Sequence, residues 1–255
     1  MSTYLSKFYF SDLAIDNLSF HETSKIIEKA IDENNSIILT DINAGKIIQI
    51  RENPELKSYV LASDIIQADG QSVIWASKLL NNPLIERVAG IDLITEIIII
   101  AKKKQKTIFF LGAKEEIIKA VVDKIGDLHG DEIIAGYRNG YFDHNNSTEI
   151  AQEIAEKGPA ILLVGMTSPY QEKFLIENKE ILKSINFKMG VGGSFDVIAG
   201  KVKRAPLWMQ KYGLEWFYRF LQEPRRMWKR YLIGNSKFIL LVLKEKINNR
   251  NTYHK

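Results

Sequence analysis

The chain of 255 residues is 45% hydrophobic and 26% charged, which is typical of a folded globular protein and excludes a largely disordered one. It has no cysteine, so disulfides, thiolate nucleophiles and cysteine-bound metal are excluded, and its four histidines form no closely spaced pair; we expect no metal site. The net charge of +4 is uneven, because residues 201–255 contain 14 Lys and Arg against 3 Asp and Glu, so residues 1–200 carry −7. A basic segment on an acidic body indicates an anionic partner at a surface.

Short β-branched, apolar runs alternate with amphipathic stretches along residues 36–191, and this alternation indicates repeated βαβ units. The predicted fold is α/β, a Rossmann-like, mainly parallel sheet with helices on both faces. The predicted strands are Ser36–Thr40, Ile65–Ala68, Thr107–Leu111, Ile133–Tyr137, Ala160–Val164 and Phe187–Val191. The helices predicted between and after them include Ala44–Arg51, Ser72–Leu80, Ile91–Lys103, Glu115–Leu128, Ser147–Glu156 and Tyr170–Leu182.

After residue 200 the pattern changes to a basic, aromatic stretch, so we predict an α/β domain over residues 1–200 and a helical C-terminal appendage over residues 201–255. Pro206 and Pro224 bracket a helical pattern over about residues 207–222, and a second helix is predicted from 225 to about 246, interrupted near Gly234. Lys and Arg mixed with Trp and Tyr are typical of a segment that lies on a membrane surface. A solvated basic face is the ordinary alternative.

The chain has no sequence pattern that predicts export or a membrane span. The first ten residues, MSTYLSKFYF, lack the apolar core and cleavage site of a secretory signal, so we expect a cytoplasmic protein. The longest apolar runs, Leu93–Ala101 and Phe238–Leu243, are much shorter than the roughly 18 residues that cross a bilayer.

Small, polar and acidic residues follow the predicted strands, at the edge where open parallel sheets bind ligands. Each glycine there is equally well explained by a tight turn between strand and helix, but six such positions in one register favour a ligand site. The glycine cluster over residues 190–196 lacks the G-x-G-x-x-G spacing, yet it permits close backbone approach to a nucleotide. The candidate nucleotide contacts are Gly112, Tyr141, Gly165, Gly192, Gly193 and Asp196.

Asp69 is the first candidate for chemistry, because it directly follows the apolar run Ile65–Ala68. A carboxylate at the end of a buried strand can have a raised pKa and act as a general base. Taken alone, the position favours an N-cap for the helix that is predicted to start near Ser72.

Arg87 and Gln171 are candidates near predicted helix starts. The guanidinium of Arg87 suits bidentate contact with phosphate, and the alternative is a surface ion pair with Glu86 or Asp92. Gln171 falls in the first turn of a helix, where an anion or a hydroxyl-rich ligand is favoured, and the alternative is simple solvent exposure. The sequence contains no P-loop and no Asp-x-Asp pair, so a diphosphate would be neutralised by Arg, Lys and helix N-termini.

Ordered motifs run along nearly the whole chain. They are Thr40 and Asn43, Ala68–Gly70, Arg87–Asp92, Phe109–Gly112, Gly140–Phe142, Val164–Glu172, Gly190–Asp196, Arg204–Pro206, Gly213–Trp216 and Glu223–Arg226. Together these motifs resemble the WecG/TagA/CpsF glycosyltransferase family (family 26).

The resemblance implies an inverting, metal-independent hexosyltransferase that uses no cofactor and works at the inner face of the bacterial plasma membrane, as a peripheral protein. Its partners would be a UDP-sugar donor and a prenyl-diphosphate-linked sugar acceptor. In the family's best-known members these are UDP-N-acetylmannosamine and undecaprenyl-diphospho-N-acetylglucosamine, in teichoic-acid or surface-polysaccharide synthesis. Other members use UDP-glucose or an N-acetylmannosaminuronic acid donor.

The resemblance also implies roles for individual residues. Asp69 matches the catalytic base, and the polar active-site residues are Thr40, Asn43, Arg87 and Gln171. The arginines that match the contacts of the acceptor diphosphate are Arg219, Arg225, Arg226 and Arg230. Asp41 stands where small residues are commoner in the family.

Two other functions are compatible with parts of the sequence. The basic, aromatic tail would suit a nucleic-acid-binding protein, but the acidic body and the post-strand residues favour a small ligand and no nucleic acid. A nicotinamide-dependent oxidoreductase would use a similar sheet, and the failed glycine fingerprint counts against it. The aromatic tail also leaves a homo-oligomer open.

Overall fold

A computed structural model describes residues 6–228 and 233–252 of the chain. The strands are β1 (Lys7–Phe10), β2 (Leu13–Asp16), β3 (Ile37–Ile42), β4 (Ile65–Ala68), β5 (Ile108–Gly112), β6 (Ile134–Arg138), β7 (Ile161–Gly165) and β8 (Phe187–Gly190). The body helices are α1 (Phe20–Asp32), α2 (Ala44–Glu52), α3 (Pro54–Leu61), α4 (Gln71–Leu79), α5 (Gly90–Lys103), α6 (Glu115–His129), α7 (Ser147–Glu156), α8 (Tyr170–Glu177) and α9 (Ser194–Ile198). They are followed by α10 (Leu207–Lys211), α11 (Glu215–Gln222), α12 (Pro224–Trp228) and α13 (Asn235–Thr252).

Strands β3 to β8 form a parallel sheet in the order β4-β3-β8-β7-β5-β6. The predicted parallel sheet with helices on both faces is therefore confirmed. Strands β5 and β7 are buried at every position, as parallel strands must be when helices cover both faces. The helices that follow the neighbouring strands β3 and β8, α2 and α9, lie on opposite faces of the sheet. The helices that follow β5 and β7, α6 and α8, also lie on opposite faces. The carboxyl edge of the sheet therefore has two crevices of the kind in which such sheets bind ligands.

The core lies in two layers, one on each face of the sheet. On one face, α1, α5, α6 and α9 pack on alternate strand residues such as Phe110 and Leu163. On the other face, α7 and α8 cover the intervening residues Phe109 and Leu162. Beside α7 and α8, the helices α2, α3, α4 and α13 form a second cluster with strands β1 and β2. Strands such as β5 and β7 therefore contribute to both layers through their alternating side chains.

Strands β1 and β2 form an antiparallel hairpin that was absent from the predicted strands. The hairpin is fixed to the sheet because the carboxylate of Asp16 accepts a hydrogen bond from the backbone N–H of Ile66, at 2.9 Å. Helix α1 then begins with a capping box between Ser19 and Glu22. The hairpin extends the apolar surface on which the end of the chain packs.

The C-terminal segment differs from its prediction in two ways. The helix expected over residues 207–222 is interrupted at Gly213, where a φ of +71° ends α10 and α11 follows. The second helix is described as α12 and α13, with residues 229–232 outside the described parts.

Helix α13 is packed into the body of the protein. Phe238, Leu241 and Val242 belong to the same buried cluster as the hairpin residues Phe8 and Phe10. The rings of Phe10 and Phe238 lie 5.7 Å apart in an edge-to-face arrangement, which aromatic pairs prefer. The division into two domains at residue 200 stays a prediction, but α13 is a structural element of the core.

Every helix in residues 6–228 and 233–252 is too short or too polar to span a lipid bilayer.

Candidate active site

A cavity of about 1210 Å³ opens at the carboxyl edge of the sheet, between the body and the C-terminal segment. Its walls are the turns after the parallel strands and parts of α2, α4, α11 and α13. The structure brings most of the predicted site residues together there: Asn43, Asp69, Arg87, Tyr141, Gly165, Gln171, Gly192, Gly193, Asp196 and Arg219 all line the cavity. Segments that are up to 176 residues apart in sequence, from Asn43 to Arg219, therefore form one site.

Asp69 lies at the end of β4 and is half-buried in the cavity wall. Its Oδ1 accepts a hydrogen bond of 3.2 Å from the backbone N–H of Gly90, at the start of α5. Burial first, and then the negative charge of Asp41, raise the pKa of Asp69 to about 6, although Arg87 and the Gly90 N–H act in the opposite direction. The N-cap of α4 is Gly70, with no side-chain hydrogen bond, so the capping interpretation of Asp69 is wrong. Asp69 is a carboxylate whose pKa suits a general base near neutral pH.

Arg87 connects the body to the C-terminal segment. Its guanidinium is paired with the carboxylate of Glu215 in the first turn of α11. The other oxygen of Glu215 lies 3.7 Å from Nε of Arg204, and Arg204 makes two 2.7 Å contacts with the carboxylate of Asp92. The alternative interpretation of Arg87, a surface ion pair with Glu86 or Asp92, is wrong. Asp92 pairs with Arg204 instead, and Glu86 accepts a hydrogen bond from the backbone N–H of Phe20. Two guanidinium groups and two carboxylates therefore join α11 to the start of α5.

Gln171 is buried, with 3% of its surface exposed, which rules out the solvent-exposed alternative. It lies in the first turn of α8, and its Oε1 accepts a hydrogen bond of 3.0 Å from the backbone N–H of Gly192. Its Nε2 donates to Oε1 of Glu172, also at 3.0 Å. Gln171 therefore fixes the turn that follows β8. Asn43 has a similar local function, because its Oδ1 accepts from the N–H of Lys46 and caps α2.

A buried lysine in the wall of the cavity was not predicted. Lys46, in α2, is 7% exposed, and its Nζ lies 3.1 Å from Oδ1 of Asp41 and 2.9 Å from Oε1 of Glu172. Burial opposes the charge on Lys46, but Asp41 and Glu172 outweigh it and raise the pKa of the ammonium. A lone lysine in an amphipathic helix gives no signal of such burial in the sequence, because its partners come from β3 and α8.

The glycine turn after β8 lies against the C-terminal segment. A Cβ atom added to Gly193 would lie 2.5 Å from Nη2 of Arg219, so the guanidinium rests on the glycine backbone. Arg219 also lies 3.9 Å from the carboxylate of Glu223, the residue that directly follows α11. Tyr141, 73% exposed, stands at the rim of the same cavity. This part of the cavity offers the backbone of a glycine turn, a guanidinium and an aromatic ring to a ligand.

Some predicted residues are not in the cavity wall. Strand β3 continues to Ile42, so Thr40 lies inside the strand, 5% exposed, and its hydroxyl shares a 2.7 Å hydrogen bond with the hydroxyl of Ser63. Gly112, with a φ of +129°, ends β5, where an added Cβ would lie 2.5 Å from the backbone of Gly165. Arg225 is exposed on α12 outside the cavity. The side chain of Arg226 and all of Arg230 lie outside the described residues.

Comparison with known proteins identifies the family of this chain. The model of the Glycosyl transferase WecG/TagA/CpsF family matches residues 8–252, nearly the whole chain. The chain belongs to this family. Among its relatives is the N-acetylglucosaminyldiphosphoundecaprenol N-acetyl-beta-D-mannosaminyltransferase of Bacillus subtilis, 39% identical over 88% of this chain and 86% of the relative. A protein of the same name from Bacillus spizizenii is 35% identical over 84% of this chain and 81% of the relative.

Membership in the WecG/TagA/CpsF family makes this chain a glycosyltransferase. The two alternative functions, a nucleic-acid-binding protein and a nicotinamide-dependent oxidoreductase, are therefore wrong. The cavity has the groups that sugar transfer requires, namely a carboxylate of raised pKa and guanidinium groups that can stabilise a phosphate leaving group. Within residues 6–228 and 233–252, His, Asp and Glu side chains form no cluster that could hold a metal ion. Metal independence stays a prediction.

Proposed function

We propose that this chain transfers N-acetylmannosamine from UDP-N-acetylmannosamine to undecaprenyl-diphospho-N-acetylglucosamine, with inversion and without a metal ion, in the synthesis of teichoic acid or another surface polysaccharide. The names of the two Bacillus relatives support this reaction. The observation that carries it is the position of Asp69, a carboxylate of raised pKa in a cavity that also contains Arg87 and Arg219.

In this mechanism Asp69 removes the proton from the acceptor hydroxyl as its oxygen attacks the anomeric carbon of the donor. The bond between that carbon and the UDP oxygen breaks, and its electron pair goes to the β-phosphate. Attack from the face opposite to UDP inverts the configuration in a single displacement. Arg87 and Arg219 stabilise the negative charge that develops on the leaving diphosphate, which replaces the function of a metal ion. The resemblance matches Arg219 to the acceptor diphosphate, but we assign it to the donor because its guanidinium rests against Gly193.

The nucleotide would occupy the cavity beside the turn after β8. Gly192 and Gly193 allow the ligand to approach the backbone closely, and Asp196 accepts a hydrogen bond from the base or ribose. Gln171 fixes that turn through its bond to the N–H of Gly192. Tyr141 at the rim offers a ring face to the uracil.

The lipid acceptor would reach the cavity from the C-terminal side. Leu207, Trp208 and Tyr212 of α10 and the following turn are exposed, and the exposed side chains of α13 include Leu240 and Ile247. With the net charge of +11 over residues 201–255, such side chains suit peripheral binding to an anionic leaflet at the inner face of the plasma membrane. The exposed Arg225 would contact phosphate groups at that surface.

The test is transfer by the purified protein in EDTA, with a panel of UDP-sugars and a prenyl-diphospho-N-acetylglucosamine acceptor. We expect UDP release and a product heavier by one N-acetylhexosamine with UDP-N-acetylmannosamine alone. Transfer from UDP-glucose or UDP-N-acetylmannosaminuronic acid instead would identify a different donor sugar. A requirement for a divalent metal ion would refute the metal-free mechanism. No transfer from any donor would refute the proposal.

The variant Asp69→Asn tests whether Asp69 is the catalytic base. The amide keeps the size of the side chain and an oxygen that can accept from Gly90, but it cannot accept the proton of the acceptor hydroxyl. We expect UDP to bind with unchanged affinity while turnover falls by at least a hundredfold, the usual contribution of a general base. Normal turnover of this variant would show that Asp69 is not the base.

A further inference from the structure

The cluster of Asp41, Lys46 and Glu172 has no part in the mechanism above, although it lies in the wall of the same cavity. Lys46 and Glu172 are almost completely buried, and the Oε2 atom of Glu172 has no hydrogen-bond partner. Burying charged groups is costly even when they are paired, and apolar residues of similar size would fill the space with less penalty. Such a cluster beside a reaction centre points to a function.

The backbone holds Asp41 close to Asp69. The two residues belong to neighbouring parallel strands, and Asp41 pairs in register with Gln67, two residues before Asp69. The N–H of Asp69 donates to the carbonyl of Ile42, the residue after Asp41, at 2.9 Å. Both aspartates line the cavity. Two carboxylates are therefore fixed at the same edge of the sheet, with Lys46 against only one of them.

We propose that Asp41 is a positioning residue of the transfer reaction, whose negative charge, fixed by Lys46, strengthens Asp69 as a base. The proposal rests on the function proposed above for Asp69. Three charged groups face Asp69 from the elements around it: Asp41 from β3, Arg87 from the loop before α5, and Glu215 from α11. Arg87 lowers the pKa of Asp69 and so makes it a weaker base, whereas Asp41 raises that pKa.

Lys46 keeps this arrangement stable. The ammonium lies between Asp41 and Glu172 and holds the Asp41 carboxylate in place while Asp69 gains and loses its proton. The oxygen of Glu172 that contacts Lys46 also accepts from Gln171, which in turn fixes Gly192. The same cluster therefore connects the base to the turn beside the nucleotide.

The first test is the pH dependence of kcat/KM for transfer by Asp41→Asn. The amide preserves the shape of the side chain but removes the charge, so the acid limb should move down by roughly one pH unit and the plateau should fall, because Asp69 becomes a weaker base. Glu172→Gln is the matched control, because it removes a charge from the other side of Lys46. Its rate is expected to fall while its acid limb stays near that of the unmodified protein. An unmoved limb in Asp41→Asn would mean a merely structural role and would overturn the proposal.

The second test does not require activity, so it separates this proposal from the proposed function. Unfolding midpoints at pH 7.5 are compared for the unmodified chain, Asp41→Asn, Asp69→Asn and the double variant. Repulsion between the two carboxylates predicts that the change caused by Asp69→Asn is smaller when Asp41 is already neutral. Additive changes would overturn the proposal even if transfer is observed, and non-additive changes would support the coupling even if no donor is used.

Discussion

Neutralising Asp69 should make the folded protein more stable while it removes activity. A rise in pKa from 3.8 to about 6 means that ionising this carboxylate costs about 3 kcal/mol more in the folded state than in the unfolded state. Asp69 is half-buried, so water screens part of this cost, and we expect Asp69→Asn to gain about 1–3 kcal/mol at pH 7.5. For a chain of this length the gain corresponds to an increase in Tm of roughly 2–10 °C.

The pH dependence of this gain distinguishes electrostatics from packing. Because the folded pKa is raised, the folded state binds more protons than the unfolded state between about pH 4 and pH 6, and the unmodified protein loses stability as pH rises through this range. The advantage of Asp69→Asn should therefore be full at pH 7.5, roughly half as large at pH 5, and absent below about pH 3.5.

Chemical unfolding at pH 7.5 and pH 5, followed by circular dichroism, measures both values. Asp123→Asn is the control, because Asp123 is an exposed aspartate in a helical pair with Lys119 and should change stability by less than about 0.5 kcal/mol. A variant Asp69→Asn that is less stable than the unmodified protein at pH 7.5, or equally stabilised at both pH values, would refute the raised pKa.

Three further results are expected. The rate of transfer by the unmodified chain should fall below about pH 6, as Asp69 is protonated, and a rate that is constant down to pH 5 would contradict its role as base. Glu215→Gln should tighten UDP binding by calorimetry, roughly threefold to tenfold, because a carboxylate no longer competes with the diphosphate for Arg87; weaker binding would show that Glu215 orders the site instead. Phe238→Ala should lower the free energy of unfolding by about 3 kcal/mol, measured by chemical unfolding. Leu240→Ala, on the exposed face of the same helix, should change this free energy by less than about 0.5 kcal/mol. Equal effects of the two substitutions would mean that α13 does not contribute to the core.

The sequence was sufficient to predict the sheet and the edge at which the site forms. Parallel strands that are buried on both faces must be continuously apolar, so runs such as Phe109–Leu111 are easily recognised. Once the strands are known, the residues after them must converge, which is why Asp69 and Gln171 were both placed in the site. The end of β3 was predicted two residues too early, at Thr40. Because of this error Thr40, which is outside the cavity wall, was included among the predicted site residues, and Asp41, which lines the cavity, was not.

The rest of the site depends on contacts between distant segments, which local sequence patterns do not encode. The burial of Lys46 requires Asp41 from β3 and Glu172 from α8, and neither partner is within one helical turn of it in sequence. The pairing of Arg87 with Glu215 likewise connects residues 128 positions apart. Basic and aromatic composition predicted a surface for the C-terminal segment, but it does not reveal that Phe238 is buried against the N-terminal hairpin.

The contact between Phe10 and Phe238 has a consequence for synthesis in the cell. The helix that covers the aromatic side chains of the hairpin is synthesised more than 200 residues after the hairpin itself. During most of translation Phe8 and Phe10 therefore lack the side chains of α13, and this part of the core is completed late. Chains truncated before α13 should therefore be aggregated or degraded instead of forming a shorter soluble enzyme.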